Sequence, residues 1–217
     1  DAGDSFTYTV SDDRFEVVDG EVRLVDGVSL DHEEAASIDL TVTATDSGGL
    51  STEETFTIDV TDVNEGPSDL GLDGNSVSEN DAGAVVGTLS SFDPDAGDTV
   101  TYTVSDDRFE VVDGEVRLVD GVSLDHEEAA AIELTVTATD SGGLSTEETF
   151  TIDVTEVNEG PANMEIDGTT VAEKEAGAHI GTLSSLDPDA GDSVTYTVSD
   201  DRFEVVDGEV RLVDGVS

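Results

Sequence analysis

The chain repeats its own sequence at a spacing of 94 residues. The motif DPDAGD begins at residue 93 and again at residue 187. A stretch that starts TYTVSDDRFEVV occurs unchanged at 7–29, 101–123 and 195–217. A repeat of this length is too long for a solenoid unit of roughly 20–45 residues, and it suits a small domain that folds by itself. The repetition therefore predicts a tandem row of similar domains.

Boundaries placed before Pro67 and Pro161 divide the chain into three repeats. Residues 67–160, the second repeat, form one whole unit. Residues 1–66, the first repeat, correspond to a unit that lacks its N-terminal strands. Residues 161–217, the third repeat, correspond to a unit that lacks its C-terminal strands. Because both ends fall inside a repeat, we expect the sequence to be a segment of a longer array.

Apolar and polar residues alternate in short runs along the second repeat, as expected of half-buried β-strands. One run places Ile132, Leu134 and Val136 on a single face, and an Asp-Gly pair at 113–114 predicts a tight hairpin. A helical turn is expected only at 124–131. Seven short strands predict an all-β fold of tandem Greek-key β-sandwiches arranged end to end. These strands are expected around Val77 and at 84–92, 100–104, 108–112, 115–119, 131–139 and 149–154.

Acidic residues dominate the charge of the chain. There are 54 Asp and Glu against 7 Lys and Arg, which gives a formal net charge of -47. This balance argues against binding to nucleic acid or to an anionic membrane, because both attract basic surfaces. It favours cation binding or adaptation to high salt. The chain has no cysteine, so no disulfide stabilises it, and it has no apolar run long enough to span a bilayer.

The acids of the second repeat collect in five short motifs at or near predicted turns. These motifs are SEN at 78–80, DPD at 93–95, LDHE at 124–127, ATD at 138–140 and EVNEGP at 156–161. Ca²⁺ prefers six to eight oxygen ligands from carboxylates, amides and carbonyls. A single motif of this kind is also typical of a solvated turn. Five motifs at or near the turns of one domain favour calcium.

These motifs, in this order, resemble the cadherin family, and in particular the cadherin-like repeats of large bacterial or archaeal surface and biofilm adhesins. The resemblance covers the whole chain. It implies that Ca²⁺ ions lie between consecutive repeats and stiffen them into a rod. It also implies an extracellular location, where Ca²⁺ is abundant enough to fill sites of modest affinity.

The resemblance further implies a set of metal ligands at each junction, with roughly two or three ions per junction. Between the first and second repeats the implied ligands are Asp31, Glu33, Asp62, Asn64, Glu65, Asp93, Asp95, Asp140 and a carbonyl near Asp98. Between the second and third repeats they are Glu79, Asp125, Glu127, Glu156, Asn158, Glu159, Asp187, Asp189 and a backbone oxygen near Asp192. Glu173 holds the place of Glu79 in the third repeat and is assigned to the same metal-binding role.

The sequence departs from the vertebrate family pattern at several of these positions. Glu65 and Glu159 stand where an Asp is usual, and Glu156 replaces the Asp seen at position 62. His32 and His126 replace an Arg, and we expect both to be exposed surface residues rather than ligands, as we do for His179. The paired acids at 12–13, 106–107 and 200–201 are expected to be plain acidic turns.

Taken together, these features predict a non-catalytic, calcium-stiffened spacer in an adhesin or stalk. Its partners would be neighbouring repeats, identical chains in a filament, or a surface ligand outside this segment. One alternative is a filament subunit that exchanges strands between chains. Another is a carbohydrate-binding module, but Tyr8, Tyr102 and Tyr196 are expected to face the core rather than form a platform. A third is a halophilic domain whose acids bind only water and monovalent salt.

Overall fold

The computed structural model describes residues 5–172, 175 and 177–215. Among these residues it contains strands and turns but no helix, so the predicted all-β fold is confirmed. Strands β1 to β5 belong to the first repeat and are Thr7–Val10, Phe15–Val18, Glu21–Leu24, Ser37–Thr45 and Ser51–Asp59. Strands β6 to β13 belong to the second repeat and are Ser68–Leu72, Ser76–Ser78, Val85–Phe92, Thr101–Val104, Phe109–Val112, Glu115–Leu118, Ala131–Thr139 and Ser145–Thr155. Strands β14 to β17 belong to the third repeat and are Ala162–Ile166, His179–Leu186, Phe203–Val206 and Glu209–Leu212.

The strands of the second repeat form two four-stranded sheets, in the orders β10-β11-β8-β6 and β7-β13-β12-β9. This is the predicted sandwich fold. Along β12 the residues Ile132, Leu134, Val136 and Ala138 are buried, while alternate residues are more exposed. The period-two pattern in the sequence therefore identified the core face of this strand.

The first strand of the second repeat is divided into two parts, which the sequence did not indicate. Its first part, β6, pairs antiparallel with β8, whereas its second part, β7, pairs parallel with β13 in the other sheet. Between them Gly74 lies against the carbonyl of Val86, where a side chain would not fit. Asp73 accepts a hydrogen bond from the backbone N–H of Thr88. These contacts hold the chain where it changes sheet.

The predicted hairpin between β10 and β11 is present, and Val112 pairs with Glu115 across it. Asp113 and Gly114 both have positive φ, at 52° and 83°. Two successive left-handed residues are the requirement of a type I′ turn, which matches the twist of the two strands. The expected helical turn is a single hydrogen-bonded turn, in which the N–H of Ala129 donates to the carbonyl of Asp125 at 3.1 Å.

The described chain forms two compact units, and β8, β12 and β13 each have residues in both of them. The first unit consists of Asp1–Leu72, Leu89–Ser105 and Thr135–Glu148, and the second of Asp73–Thr88, Asp106–Leu134 and Thr149–Ser217. Each unit contains one of two junction segments, which we define as residues 62–66 and 156–160. The division into three domains at Pro67 and Pro161 stays a prediction.

Each unit has its own apolar core. In the first unit Phe15, Ile38 and Leu40 are buried and pack with partly buried neighbours such as Val42. In the second unit Leu118, Leu134, Val116, Ile152 and Val154 are almost fully buried. In the described part of the chain, no helix has the length and apolarity needed to cross a membrane.

Candidate metal centres

The junction segment 62–66 of the first unit contacts the DPD motif through its backbone. The N–H of Glu65 donates to Oδ2 of Asp95 at 2.7 Å, and the N–H of Asp95 donates to Oδ1 of Asp93 at 3.1 Å. These bonds use one oxygen of each carboxylate. Oδ1 of Asp95 and Oδ2 of Asp93 are buried and have no hydrogen-bond partner.

Several acidic side chains of the first unit converge near this segment. In each of three groups, one ligand atom per residue lies within 4.8 Å of the others. The groups are His32–Glu33–Asp62, Glu33–Glu65–Asp95 and Asp93–Asp98–Asp140. A backbone carbonyl near Asp98 was the expected ligand, whereas the structure brings the side chain of Asp98 into the third group.

Asp140 is positioned by the junction segment and by its own turn. It is only 6% exposed, and it accepts hydrogen bonds from Nδ2 of Asn64 at 2.8 Å and from the N–H of Leu144 at 2.8 Å. Desolvation raises the pKa of Asp140, but these bonds, with contributions from Gly143 and Gly142, outweigh it and lower the pKa. Asp140 is therefore held as a carboxylate.

Gly142 allows the junction segment to approach this turn. A Cβ atom at Gly142 would overlap the side-chain amide of Asn64. Gly48, which holds the same place in the first repeat, faces only the carboxylate of Asp46, at 3.3 Å from its Cβ position. Sequence reasoning missed this role, although the Gly-Gly pair after the acidic motif was a visible signal.

The second unit repeats the main contact of the first. The N–H of Glu159, in the junction segment 156–160, donates to Oδ2 of Asp189 at 2.7 Å. Oδ1 of Asp189 is buried without a partner, as Oδ1 of Asp95 is in the first unit. Two acidic groups form here, Glu79–Glu127–Glu159 and Asp187–Asp189–Asp192.

Glu79 is a buried carboxylate that ties three parts of the second unit together. It is 2% exposed and accepts hydrogen bonds from the N–H of His126 at 2.8 Å and from the N–H of Val157 at 2.6 Å. These two bonds, in that order, lower the pKa of Glu79 against the effect of burial. Glu79 is therefore charged at neutral pH, although it lies beside Glu127 and Glu159.

Burial and neighbouring acids raise the pKa of one glutamate in each unit. Desolvation raises the pKa of Glu33, and the charges of Asp62 and Glu65 raise it further. In the second unit desolvation raises the pKa of Glu127, with added repulsion from Glu79 and other acids. Like charges at these distances repel unless a cation lies among them.

Some of the predicted ligands are not part of any of these acidic groups. Oδ1 of Asp31 accepts the N–H groups of Glu33 and Glu34, so this carboxylate caps its own turn. Asp125 caps the corresponding turn by accepting the N–H of Glu128. Glu156 also lies outside the acidic groups found among the described residues. Of the two asparagines, Asn64 donates from Nδ2 to Asp140, and Asn158 donates from Nδ2 to the carbonyl of Glu159 at 2.8 Å. Glu173 lies outside the described residues.

The prediction that His32 and His126 are exposed surface residues is wrong. Both are partly buried, and Nδ1 lies 2.7 Å from the carbonyl oxygen of Val60 in the first case and 2.6 Å from that of Val154 in the second. The carbonyl can only accept, so Nδ1 carries the proton. This bond and the nearby acids raise the pKa of each imidazole. His179 is exposed, as predicted.

The aromatic residues and the paired acids show two further differences from expectation. Tyr102 is half-buried, and its hydroxyl lies 2.8 Å from that of Ser91. Tyr8, however, is 45% exposed, so the expectation of a core position is wrong there. The paired acids are more than plain turns, because Asp106 binds the guanidinium of Arg108 at 2.7 Å. The same Asp–Arg pair recurs in the other two repeats.

The acidic groups offer only hard oxygen ligands, apart from the imidazole of His32. Unpartnered buried carboxylate oxygens at Asp93, Asp95, Asp98 and Asp189 are costly unless something binds them. A divalent cation that prefers oxygen would satisfy them and would offset the repulsion among the acids. The residues present therefore fit such an ion.

Comparison with known proteins places this arrangement in context. No family model matches the chain. Human protocadherin gamma-A5 is 32% identical to it over 192 residues, which are 81% of this chain and 21% of that protein. The chain therefore spans about a fifth of the length of this relative. The narrower resemblance to bacterial or archaeal adhesins stays a prediction.

Solved structures of cadherin domains share the fold. Protocadherin gamma B7 extracellular cadherin domains 1–4 superpose with a TM-score of 0.69 at 22% identity, covering 97% of this chain and 59% of that one. Mouse cadherin-23 domains EC22–24 give a TM-score of 0.66 at 20% identity, covering 96% of this chain and 75% of that one.

The names of these relatives agree with two predictions made from the sequence. None of the three is the name of an enzyme, in agreement with the absence of a predicted catalytic role. The protocadherin structure is of extracellular domains, in agreement with the predicted extracellular location. The sandwich topology, the order of the acidic motifs and these superpositions lead to one conclusion. The chain has the cadherin-like repeat fold.

Proposed function

We propose that the chain is a segment of an extracellular adhesin or stalk, in which Ca²⁺ bound at the junction segments holds successive repeats end to end. One observation carries the proposal. In both units, the second Asp of the DPD motif binds the junction backbone with one oxygen and leaves the other buried and unpartnered. The same arrangement at both junctions supports a repeated binding site rather than an accident of packing.

In the first unit the ion or ions would be held by the carboxylates of the groups described above. The residues are Glu33, Asp62, Glu65, Asp93, Asp95, Asp98 and Asp140. In the second unit they are Glu79, Glu127, Glu159, Asp187, Asp189 and Asp192. Bound Ca²⁺ would supply positive charge among like-charged groups that come from both sides of a junction segment.

Hydrogen bonds within the protein orient the proposed ligands. The junction N–H groups of Glu65 and Glu159 orient the carboxylates of Asp95 and Asp189. In the first unit the amide of Asn64 bonds to Asp140 and so fixes the junction segment to a loop of the second repeat. These bonds set the position of the acids before an ion arrives, which reduces the ordering cost of binding.

The near-identity of the repeats supports a spacer role. Identical units set the length and stiffness of a rod, whereas recognition of a specific surface needs a distinct region. We therefore propose that adhesion involves a partner outside this segment. The segment itself would hold that partner at a distance from the cell or biofilm. The high net negative charge would keep such long chains soluble and mutually repelling.

A titration with Ca²⁺ tests the proposal directly. We expect the midpoint of thermal unfolding to rise with Ca²⁺ and to return on chelation, because an ion that binds only the folded state stabilises it. Small-angle scattering should show a stiffer, longer particle with Ca²⁺. KCl at matched ionic strength is the control. If KCl stabilises the chain as much as CaCl₂, the acids serve salt adaptation and the proposal fails.

A further inference from the structure

Asn80 follows the buried carboxylate of Glu79 and has an unusual backbone conformation. Its φ is 60°, in the left-handed region that few residues other than glycine enter. Asparagine tolerates this region, but glycine adopts it without steric cost. A position that needed only the turn would be served at least as well by glycine. The asparagine therefore indicates that its side chain is used.

The side chain of Asn80 contacts a carboxylate of the second junction. Its Nδ2 donates a hydrogen bond to Oε1 of Glu159 at 2.8 Å. The backbone N–H of Asn80 donates to the carbonyl of Leu124 at 3.0 Å, which anchors the residue to the second repeat. Glu159 offers a ligand oxygen that lies within 4.8 Å of those of Glu79 and Glu127. The amide of Asn80 therefore holds one member of a group of three carboxylates.

This bond completes a series of contacts along the junction. The carbonyl of Thr155, at the end of β13, accepts the N–H of Glu79 at 3.0 Å. The N–H of Val157 donates to the carboxylate of Glu79 at 2.6 Å, and Glu159 then accepts the amide of Asn80. Alternate residues of the chain that leaves β13 are thus bound by two successive residues. The side chains of these two residues continue the parallel pairing of β7 with β13 into the junction.

A carboxylate in this position needs a partner that holds it. Glutamate has several rotatable side-chain bonds, and repulsion by Glu79 and Glu127 favours rotamers that carry Glu159 toward water. An amide donor binds the carboxylate without neutralising its charge, so the group stays available to a cation. A lysine would bind the same carboxylate but would add a positive charge that repels the ion. Lys174, outside the described residues, holds the place of Asn80 in the third repeat.

We propose that Asn80 is a positioning residue that sets the calcium affinity of the second junction by holding Glu159 in place. The inference rests on the proposed function, because it requires Ca²⁺ to bind at that junction. A repeat with asparagine at this position would be followed by a tight junction, and a repeat with lysine by a weaker one. Junctions between otherwise similar repeats would then release Ca²⁺ at different concentrations. The weaker junctions would be the points at which the rod bends first.

Amide NMR signals can follow the two junctions separately in one sample of the 217-residue chain. The N–H of Glu65 reports on the first junction and the N–H of Glu159 on the second, because each donates to an aspartate of its own site. CaCl₂ is titrated against the native chain, Asn80→Gly and Asn80→Lys. Glycine keeps the left-handed backbone and removes only the amide. The Asn80→Gly chain should therefore unfold in chelator at nearly the same temperature as the native chain.

We expect the midpoint of the Glu159 signal to move to higher Ca²⁺ concentration in both variants. The shift should be roughly three- to tenfold in Asn80→Gly, as for the loss of one hydrogen bond, and at least about tenfold in Asn80→Lys. The midpoint of the Glu65 signal is the internal control and should not change. Lys174→Asn is the matched charge control and should leave both midpoints unchanged.

The possible failures of this inference and of the proposed function can be told apart. If Ca²⁺ moves neither signal of the native chain, the proposed function fails and the inference fails with it. If both signals titrate but the two Asn80 variants leave the Glu159 midpoint unchanged, only the inference is overturned. It is also overturned if Lys174→Asn tightens the second junction as much as Asn80→Lys weakens it, because net charge would then decide the affinity.

Discussion

Replacing Asp95 by Asn should stabilise the folded chain when Ca²⁺ is absent and destabilise it when Ca²⁺ is present. The side chains are nearly the same size, and the oxygen of Asn can keep the 2.7 Å bond from the N–H of Glu65. The NH₂ group then stands in place of Oδ1, which is buried and unpartnered. The substitution also removes one negative charge beside Glu33 and Glu65.

The size of the effect without Ca²⁺ follows from this geometry. Like charges about 4 Å apart cost about 1 kcal/mol even at the dielectric constant of water, and Asp95 has two acidic neighbours within 4.8 Å. Relief of this repulsion and of the unpartnered oxygen should stabilise the variant by about 1–2 kcal/mol in a chelator. Asp189→Asn should behave in the same way at the second junction.

The effect with Ca²⁺ should be opposite. A ligand at a hundredfold excess over its Kd stabilises the folded state by about 2.7 kcal/mol, and each tenfold loss of affinity removes about 1.4 kcal/mol. A variant that no longer binds at this junction should therefore be about 1–2 kcal/mol less stable than the native chain in saturating Ca²⁺. The two measurements together separate the effect of ion binding on stability from the other effects of the substitution.

Urea unfolding of the native chain and both variants, with Ca²⁺ and with chelator, measures these differences. Asp106→Asn is the control, because Asp106 binds Arg108 outside the acidic groups and should lose equal stability in both solutions. Suppose that Asp95→Asn destabilises the chain in chelator, and that Ca²⁺ raises the stability of this variant as much as that of the native chain. Asp95 is then not a ligand, and the reasoning is refuted.

Three further substitutions probe the turn, the ion pair and the core. Gly142→Ala should weaken Ca²⁺ binding at the first junction, measured by calorimetry, because it displaces the junction asparagine. Gly48→Ala meets only the end of the Asp46 side chain, at 3.3 Å, and no residue of a junction segment, so it should have little effect on this binding. Arg108 lowers the pKa of Asp106 below its ordinary 3.8, so the stability difference between the native chain and Asp106→Asn should be constant at higher pH and shrink below about pH 4 in acid unfolding. Leu134→Ala should cost about 2–5 kcal/mol in urea unfolding, because the side chain is fully buried. A cost below about 1 kcal/mol would show that the site collapses around the smaller residue.

The strands were predictable from sequence because, in a half-buried strand, every second residue is apolar and faces the core. Strand β12 begins and ends at the residues predicted, 131 and 139. The division of the first strand was not predictable, since it depends on contacts distant in sequence. Asp73 with Thr88 and Gly74 with Val86 are such contacts, and short runs such as Ser76–Ser78 carry too little pattern to show a change of sheet.

The residue types of the candidate site were visible in the sequence, but their hydrogen bonds were not. The motifs indicated which acids would gather, because turns of a sandwich collect at its ends. They could not show that Glu65 contributes its N–H to Asp95, nor that the ring of His32 turns inward to the carbonyl of Val60. The sequence does not indicate which backbone groups form hydrogen bonds to these side chains. Roles that depend on such bonds are therefore visible only in the structure.

The two junction motifs differ in one residue, and that residue has different neighbours in the two units. Asp62 lies in an acidic group with His32 and Glu33, whereas Glu156, at the same place in the second unit, is in none of the groups found among the described residues. Glu156 still lies near enough to His126 to raise the pKa of that imidazole. Glu156 is therefore outside the acidic groups, while its charge still acts on a neighbouring side chain. Under the calcium proposal, the first junction should bind the ion with one more carboxylate than the second can offer from this position.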